Sequence, residues 1–341
     1  MANRQIQCAT RADVAKRAGV SVTVVSYVMN NNRYVDKEKR ERVLQAAKEL
    51  NYTPNNVALA LRGKKSNKIL FIVDNPANER LSRLMGGMDR YAYERGSVVS
   101  LMATRNEPEF VRSVIRRRFD GIVISSMSLA EDYIQEFVNA GIPTVLLLTH
   151  DYQKVTGVMK IGTGLYRGAR SAVEHLYQGG CRKIVYMDRV SKRNHFSDMT
   201  DCRLHGYAER MEELGLEWEN RIVSNCTTHE EAQAKLGRLI EQGMVDGIVG
   251  RNDQMACVAM RQVQRMGLRI PEDIGVIGFD NTSVCDFVTP SLTSVQLDDD
   301  SICREAIELI YHPRSDEEES HFSHQIIQRG STRAPRNDSN E

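Results

Sequence analysis

Small and hydroxylated side chains crowd one short stretch near the start of the chain, GVSVTVVSYVMNN at residues 19–31. By propensity alone, its β-branched valines favour a half-buried strand. At a helical spacing, the same residues divide into an apolar stripe and an outer face of small or polar side chains. The stripe is Val20, Val25, Val28 and Met29, and the outer face is Val22, Thr23, Ser26 and Tyr27. Side chains of this outer kind can reach base edges in the major groove of DNA without steric hindrance.

Polar side chains also stand at the ends of predicted strands farther along the chain. Asn75 follows the apolar run LFIVD, Asn252 and Asp253 follow GIVGR, and Asp280 closes GVIGFD. Ligands of open α/β sheets bind beyond the carboxyl ends of the strands, so these groups are candidates for binding a polar small molecule. For Asp253 we favour a capping role at the start of the predicted helix DQMACVAMRQV.

Motifs for catalysis are missing from the sequence. It has no G-x-S-x-G, no P-loop and no paired-histidine motif on a predicted helix, so we expect no enzyme. His321 and His324 adjoin the acidic segment SDEEES, but no third metal ligand is apparent and a solvated connection is the simpler interpretation. We therefore expect neither a metal nor a cofactor.

The elements around the first stretch favour a helix over a strand. Thr10 and Asp13 have the spacing of a capping box, and Gly19 suits the left-handed position at a helix end. Ser21 can cap the next helix, and a third helix is predicted to start near Asp36. A strand between two helices would have no partner. Two short helices joined by a tight turn and braced by a third predict a helix-turn-helix unit, and the alternative is a small helical packing domain.

The rest of the chain has the pattern of parallel α/β domains, because short apolar runs alternate with amphipathic helical segments. The predicted strands are KILFIVD, SVVSLMAT, DGIVISS, PTVLLLT, KIVYMDR, DGIVGR, IGVIGFD and HQIIQRG. The segments FDGIVIS at residue 119 and VDGIVGR at residue 245 also resemble each other. This echo predicts two similar lobes with a cleft between them.

Charge is distributed unevenly along the chain. The 341 residues carry a net charge of only +1, but residues 1–68 carry +9 and the remainder −8. A basic head on an acidic body is typical of a polyanion-binding module whose body stays off the polyanion. The alternative is a basic tail that serves only solubility.

Composition indicates a protein of the cytoplasm. No apolar run approaches the roughly 18 to 20 residues that span a bilayer, and the first residues, MANRQIQCATRADVAKR, have no apolar core of a signal peptide. The seven cysteines are scattered and never fall in a C-x-x-C pair, as expected of reduced thiols. We expect a cytoplasmic, nucleoid-associated protein with no membrane partner.

Several segments together resemble the lactose/galactose repressor (LacI/GalR) family. They are TRADVAKRAGVSVTVVSYVMNN, RERVLQAAKELNYTPNNVALALRGKKS, NDQMA and IGVIGFDNT, and the likeness extends in order from residue 10 to about 335. The resemblance implies a small all-α helix-turn-helix head and a two-lobed α/β body of parallel sheets, like a periplasmic binding protein. The implied domains are a head at 1–53, a hinge helix and linker at 54–67, a body at 68–335 and a disordered tail at 336–341. Within the body, the first lobe would take 68–161 and 293–320, and the second lobe 162–292 and 321–335.

The resemblance also implies which residues contact DNA. The second helix of each protomer should enter the major groove of a near-palindromic operator, and residues 54–62 should fold as hinge helices in the minor groove. Leu61 stands at the position of the family's wedge leucine, which intercalates and kinks the DNA. The implied set is Thr10, Ser21, Val22, Thr23, Ser26, Tyr27, Asn30, Tyr34, Asn55, Val57, Ala58 and Leu61. Val24 and Tyr27 depart from the family's usual Thr and Arg.

For the cleft, the resemblance implies a sugar-like small-molecule effector. Arg203 and Gly206 match the family's R-x-x-G, whose arginine holds the effector. The implied effector set is Asn75, Arg203, Asn252, Asp280 and Asp299. The usual aromatics are replaced in NPANER, Gly164 stands in place of a familiar Asp, and Leu297 and Asp299 replace a Gln and an aromatic. We therefore expect a pocket more acidic and less aromatic than a hexose site, suited to a cationic sugar, to an unusual glycoside or to no effector at all.

The expected partners are operator DNA, the effector and a second copy of the chain. No leucine heptads follow residue 335, so the resemblance implies a homodimer without the tetramer-forming extension. The alternative function is a solute-binding protein for transport or chemosensing, which shares the fold of the body. That class carries a signal peptide and no basic helix-turn-helix.

Overall fold

A computed structural model describes residues 9–30, 33–52, 65–314 and 320–334. The chain forms two compact units, residues 1–66 and 67–341. The predicted hinge residues Asn55, Val57, Ala58 and Leu61 and the predicted tail lie outside the described residues. Within the described ranges, every helix is too short or too polar to cross a bilayer.

The first unit contains the three predicted helices, so the strand interpretation of residues 19–31 is wrong. They are α1 (Arg11–Ala18), α2 (Val22–Asn30) and α3 (Lys37–Glu49). Thr10 and Asp13 form the capping box of α1, and Gly19 ends that helix at a φ of 66°. Ser21 caps α2 by accepting a hydrogen bond from the backbone N–H of Val24 at 3.3 Å. Valines and alanines bury the inner faces of all three helices, because the apolar stripe falls where the helical spacing predicts.

The first lobe of the second unit is a parallel sheet covered by helices on both faces. Its strands are β1 (Lys68–Val73), β2 (Val98–Ala103), β3 (Gly121–Ser125), β4 (Thr144–Leu148), β5 (Met159–Gly162) and β11 (Ser320–His321), in the order β11-β5-β4-β3-β1-β2. Its helices are α4 (Glu79–Tyr93), α5 (Pro108–Arg116), α6 (Glu131–Asn139) and α12 (Asp299–Tyr311). Alternate residues of β1 enter two separate apolar cores, as expected of a sheet buried on both sides.

The second lobe repeats this plan. Its strands are β6 (Ile184–Met187), β7 (Ile222–Val223), β8 (Gly247–Gly250), β9 (Gly275–Phe279), β10 (Thr293–Leu297) and β12 (His324–Ile327), in the order β12-β10-β9-β8-β6-β7. Its helices are α7 (Leu165–Gln178), α8 (Cys202–Glu213), α9 (His229–Glu241), α10 (Asp253–Arg265) and α11 (Val284–Phe287). Only β12 runs antiparallel to its neighbour among the described strands of this sheet.

The D-G-I-V echo marks equivalent strands of the two lobes. β3 lies fourth in the order of the first sheet, and β8 lies fourth in the order of the second. Both strands are fully buried. The prediction of two similar lobes is therefore confirmed.

The chain passes between the lobes three times, and one predicted boundary is wrong by several residues. The other two are wrong by one residue, because Gly162 and His321 belong to strands of the first sheet. We expected the first lobe to resume at residue 293, but β10 pairs with β9 and β12 in the second sheet. Val295 and Leu297 pack into a core of the second lobe, which holds this strand there. The crossings therefore fall between β5 and α7, between β10 and α12, and between β11 and β12. The last two lie side by side, since the Asp298 N–H donates to the Ser323 carbonyl at 3.3 Å.

Candidate nucleic-acid interface and ligand cavity

The outer face of α2 presents small side chains to solvent. Val22 is 48% exposed. Ser21 and Thr23 are exposed, and Ser26 and Tyr27 are half-buried. The inner residues Val25 and Val28 anchor this face to the rest of the unit. The arrangement is that of a recognition helix, whose first residues point outward from a capped N-terminus.

Side-chain contacts fix the far end of this face. The Asn30 amide donates to the Ser26 carbonyl at 2.8 Å and to its hydroxyl at 3.1 Å. The Arg33 guanidinium lies 5.2 Å from the centre of the Tyr27 ring and donates to its hydroxyl at 3.4 Å. Tyr34 is 95% exposed. A cation is thus stacked on the tyrosine that replaces the family's usual arginine.

Thr10, by contrast, is used within the head itself. Its hydroxyl donates to the Asp13 carboxylate at 2.7 Å, and its backbone N–H donates to the same carboxylate at 2.8 Å. These bonds lower the pKa of Asp13. Thr10 therefore fixes the start of α1, whatever contact it makes with DNA.

A cavity of about 250 Å³ lies between the lobes, at the carboxyl ends of their strands. Four of the five predicted effector residues line it, namely Asn75, Arg203, Asn252 and Asp280. Asp299 is not among its lining residues, and our expectation of a direct contact from Asp299 is not met. It lies behind the wall of the cavity, where its carboxylate accepts a hydrogen bond from Arg80 Nε at 2.9 Å.

Asp280 is the centre of one buried charge cluster. Arg203 Nη2 lies 3.2 Å and Arg80 Nε 3.8 Å from its Oδ1, and all three side chains are almost fully buried. Burial lowers the pKa of Arg203 despite the charge of Asp280. Asp280 has a φ of 93°, a backbone conformation that residues other than glycine rarely adopt. The position of this carboxylate thus depends on a strained backbone conformation. Such strain is common at functional sites.

A second charge cluster lies at the ends of β6 and β8, which are in the same sheet as β9. Arg251 Nη2 contacts Asp201 Oδ2 at 2.6 Å, and its Nε lies 3.5 Å from Asp188. Burial alone would raise the pKa of Asp201, but the charges of Arg251 and Arg203 lower it to about 2. Asp201 also caps α8 by accepting from the backbone N–H of Arg203 at 2.8 Å.

Asp74 ends β1 and organises the wall contributed by the first lobe. Its carboxylate accepts hydrogen bonds from the Ser126 and Ser128 hydroxyls and from the Met127 N–H at 2.9 Å. Burial opposes ionisation, but these bonds outweigh it and lower the pKa of Asp74.

The predicted capping role of Asp253 is wrong by one residue. Asn252 caps α10, because its side chain accepts from the Met255 N–H at 2.9 Å. The buried Asp253 instead accepts from the Thr282 N–H at 2.6 Å and from the Ser294 hydroxyl at 2.5 Å. Burial and the nearby charge of Asp280 raise the pKa of Asp253 to about 6. Asp253 therefore braces the strained turn that carries Asp280.

The two lobes touch on both sides of the cavity. On one side, Arg83 of α4 donates to the carbonyls of Asp280 and Asn281 at 2.5 and 2.9 Å, and Glu79 accepts from the Ser283 N–H and hydroxyl, each at 2.8 Å. On the other side, the Asp151 N–H donates to the Thr200 carbonyl at 3.0 Å. Hydrogen bonds thus connect the two lobes around the cavity.

The expected character of the pocket is half right. No aromatic side chain is among the described lining residues, as predicted. The prediction of an acidic pocket is wrong, because the lining holds four arginines, Arg80, Arg189, Arg203 and Arg251, but only two aspartates, Asp74 and Asp280.

Three of those arginines were missed from the sequence. Arg189 and Arg251 directly follow the strands KIVYMD and DGIVG. The rule that found Asn75 and Asp280 would have found both arginines, had it been applied to cations as well as to acceptors. Arg80 carried no comparable signal, because it lies inside α4 and its partners Asp299 and Asp280 are far away in the sequence.

Comparison with known proteins supports both parts of the chain. The family model described as bacterial regulatory proteins of the lacI family matches residues 10–55. A periplasmic binding protein-like domain matches residues 173–332.

Curated relatives match over most of their length. The HTH-type transcriptional repressor PurR of Vibrio vulnificus is 30% identical over 323 residues, which are 91% of this chain and 93% of the relative. The ribose operon repressor of Halalkalibacterium halodurans is 34% identical over 292 residues, with 84% and 85% of the two chains covered.

Solved structures share the fold. The Lac repressor dimer bound to operator and the anti-inducer ONPF matches with a TM-score of 0.80 at 24% identity, covering 96% of this chain and 100% of that one. A LacI family transcriptional regulator from Enterococcus faecium with bound ribose matches with a TM-score of 0.65 at 21% identity, covering 79% and 99%.

Proposed function

The chain belongs to the LacI family of bacterial transcriptional regulators, and from this membership we propose that it represses transcription as a homodimer on a near-palindromic operator. A small molecule in the interlobe cavity controls its affinity for the operator. It acts in the cytoplasm, where the operator is, and its body binds the small molecule without transforming it.

The outer face of α2 carries this proposal. Small side chains at the start of a capped, well-anchored helix leave room for base edges, and the neighbouring basic residues can hold phosphates. The direct contacts are assigned to Ser21, Val22, Thr23, Ser26 and Tyr27. At the edges of this surface, Asn30, Tyr34 and Thr10 contact the DNA backbone. In the hinge, Asn55, Val57, Ala58 and Leu61 enter the minor groove, and Leu61 is the wedge.

Control by the small molecule follows from the two-lobed body. Arg203, Asp280, Asn75 and Asn252 converge on one cavity whose walls come from both lobes. A ligand that fits one arrangement of the lobes better than another shifts the population between them, and only such a difference in affinity can do so. The relative named ribose operon repressor and the solved regulator with bound ribose support a ligand of metabolite size.

Selection on random double-stranded DNA tests the proposal. The full-length protein should enrich a near-palindrome with a central pyrimidine–purine step, because such steps kink most easily. Thr23→Ala combined with Ser26→Ala should change the preferred bases within each half-site. Gln45→Ala, a neutral exposed change on α3, should leave the enriched sequence unchanged.

Selection should be repeated with a panel of sugars and purines, since a co-repressing ligand could be needed for binding. A pool that stays unenriched under every condition would overturn the proposal. If the α2 variant and the α3 variant enriched the same sequence, α2 would not be part of the DNA interface.

A further inference from the structure

The charges around the interlobe cavity are not fully matched. Three guanidiniums each have a close carboxylate: Arg80 with Asp299 at 2.9 Å, Arg203 with Asp280 at 3.2 Å, and Arg251 with Asp201 at 2.6 Å. Arg189 has none as close, because its nearest carboxylate oxygen in the described chain is Asp201 Oδ2 at 3.9 Å. That oxygen already accepts from Arg251.

Arg189 is therefore a cation without a close carboxylate partner, in a poorly solvated place. Its side chain is 19% exposed, and Arg251 is close enough to repel it. Burial, together with the charge of Arg251, lowers the pKa of Arg189 to about 10. An anion placed between the two guanidiniums would relieve both penalties.

The group now facing both cations is a weak acceptor. Arg189 Nη2 and Arg251 Nη2 point to the sulfur of Met127, which the first lobe contributes. A thioether accepts hydrogen bonds poorly, so two guanidiniums gain little from it. An ionised oxygen at the same place would form charge-assisted hydrogen bonds with both.

Donors elsewhere in the cavity wall are also unused. Arg189 Nε, Arg203 Nε and Arg80 Nη2 are buried and have no hydrogen-bond partner within the described chain. Arg80 and Arg203 are 4% and 6% exposed, respectively. Buried donors normally find acceptors, so these guanidiniums lack hydrogen-bond acceptors in the cavity wall.

We propose that the effector is an anion: a small hydroxylated molecule whose carboxylate or phosphate group binds between Arg189 and Arg251. The inference rests on the proposed function, in that the cavity holds the effector. Asp280 of the second lobe and Asn75 of the first lobe also line the cavity; both accept hydrogen bonds from the hydroxyls, and the Asn75 amide also donates to them. The anionic group, on this assignment, touches side chains of the second lobe and displaces Met127 of the first lobe. Anion binding would thus act on the contact between the lobes.

The first test uses inorganic phosphate and acetate as probes. Thermal unfolding of the full-length protein is compared in phosphate, in acetate and in chloride at equal ionic strength. We expect stabilisation by at least one of the two anions in the wild type and its loss in Arg189→Gln. The matched control is Arg238→Gln, the same change at an exposed position of α9, which should keep the response. Because the basic head also binds anions, only the part of the response that Arg189→Gln removes counts.

A second test identifies the anionic group. Calorimetric titrations compare glucose with glucose 6-phosphate and glucuronate, and ribose with ribose 5-phosphate. The charged member of a pair should bind more tightly than its neutral parent, and Arg189→Gln should abolish that preference by weakening the charged member about tenfold to a hundredfold. A phosphate or a carboxylate preference identifies the chemical source of the charge.

The inference would be overturned if wild type and Arg189→Gln responded equally to both inorganic anions. Tighter binding of neutral sugars than of their charged partners would overturn it too. Operator selection with the same protein preparation keeps this failure separate from failure of the proposed function. If the protein enriched an operator but showed no Arg189-dependent response to anions, the proposed function would stand and only the anionic nature of the effector would be rejected.

Discussion

Asp253 shows how a buried carboxylate can shape a site without lining it. It is 1% exposed, and it braces the turn at Thr282 from the start of α10. Because burial and Asp280 raise its pKa, its charge at neutral pH is held at the expense of stability. In its ionised form, Asp253 offers two strong acceptors, one to the Thr282 N–H and one to the Ser294 hydroxyl, beside the strained backbone of Asp280.

Stability should therefore depend on pH through this residue. The pKa of Asp253 is about 6 in the folded chain, against a reference value of 3.8. Below about pH 4 the group is protonated in both states, and between pH 4 and pH 6 the folded state holds the extra proton. The contribution of Asp253 to stability therefore falls as the pH rises through this window, by about 3 kcal/mol.

Asp253→Asn should remove this dependence. The free energy of unfolding, measured with urea at pH 4.5, 5.5 and 7, should rise in the variant relative to the wild type as the pH increases. The difference should level off above about pH 6.5. A difference that stays constant over the whole range would contradict the raised pKa.

At the scale of single residues, the sequence predicted hydrogen-bond acceptors of the cavity but only one of its four arginines. Asn75, Asn252, Asp280 and Arg203 were predicted and do meet in one cavity. Asp299 was predicted because the family resemblance places it where an aromatic is usual, but only the three-dimensional pairing with Arg80 reveals that it stands behind the wall. The balance of charge in a cavity depends on partners far apart in sequence, and no local pattern records those partners.

Gly206 shows what the R-x-x-G motif requires of an element. A Cβ atom at this position would lie 2.3 Å from the Tyr166 carbonyl oxygen, so α8 and α7 approach each other closely here. Arg203, one turn earlier on α8, reaches Asp280 only while this packing holds. The glycine thus sets the position of the arginine.

Gly206→Ala should destabilise the body by about 1 to 3 kcal/mol, because backbone atoms cannot move aside as a flexible side chain can. Gly86→Ala on α4 is the matched control. No atom lies within 4 Å of its added Cβ, and alanine should stabilise that helix by about 0.5 to 1 kcal/mol. Chemical denaturation measures both, and a Gly206→Ala variant at least as stable as the wild type would show that the helices can separate freely.

Element boundaries were predictable where apolar runs are unbroken. The strand KILFIVD is seen as β1, and the capping residues Thr10, Ser21 and Asp36 start α1, α2 and α3. β10 was assigned to the wrong lobe, since TSVQL carries polar residues in a buried strand. Its Ser294 is buried only because it donates to Asp253, a contact that the sequence of the strand cannot reveal.

At the scale of the whole molecule, Arg83 and Glu79 hold α4 of the first lobe against the turn at Asp280–Ser283 of the second. The Arg83 side chain is 38% exposed, so these bonds are partly in competition with water. Such a contact can open and close at a modest change in free energy, as a regulatory equilibrium needs.

Arg83→Met should shift the lobes toward a more open arrangement while keeping the packing of the side-chain stem. Small-angle scattering without ligand should give a larger radius of gyration than for the wild type. Arg90→Met is the control, since Arg90 lies two turns later on α4 and contacts Asp300 within the first lobe. Identical scattering curves for all three proteins would mean that the contacts at Arg83 do not hold the lobes together.

The crossings between the lobes have a consequence for synthesis. The first lobe lacks α12 until residues beyond 298 have been made, and Ile302, Ala306 and Ile307 of that helix complete its core beside Leu84 and Met88. A nascent chain that has just finished β10 already carries nearly all of the second lobe, while α4 alone covers one face of the first sheet. During synthesis, the second lobe is thus nearly complete before the first lobe can complete its apolar core. Chaperones that bind exposed apolar surface would accordingly meet this chain at its first lobe, late in translation.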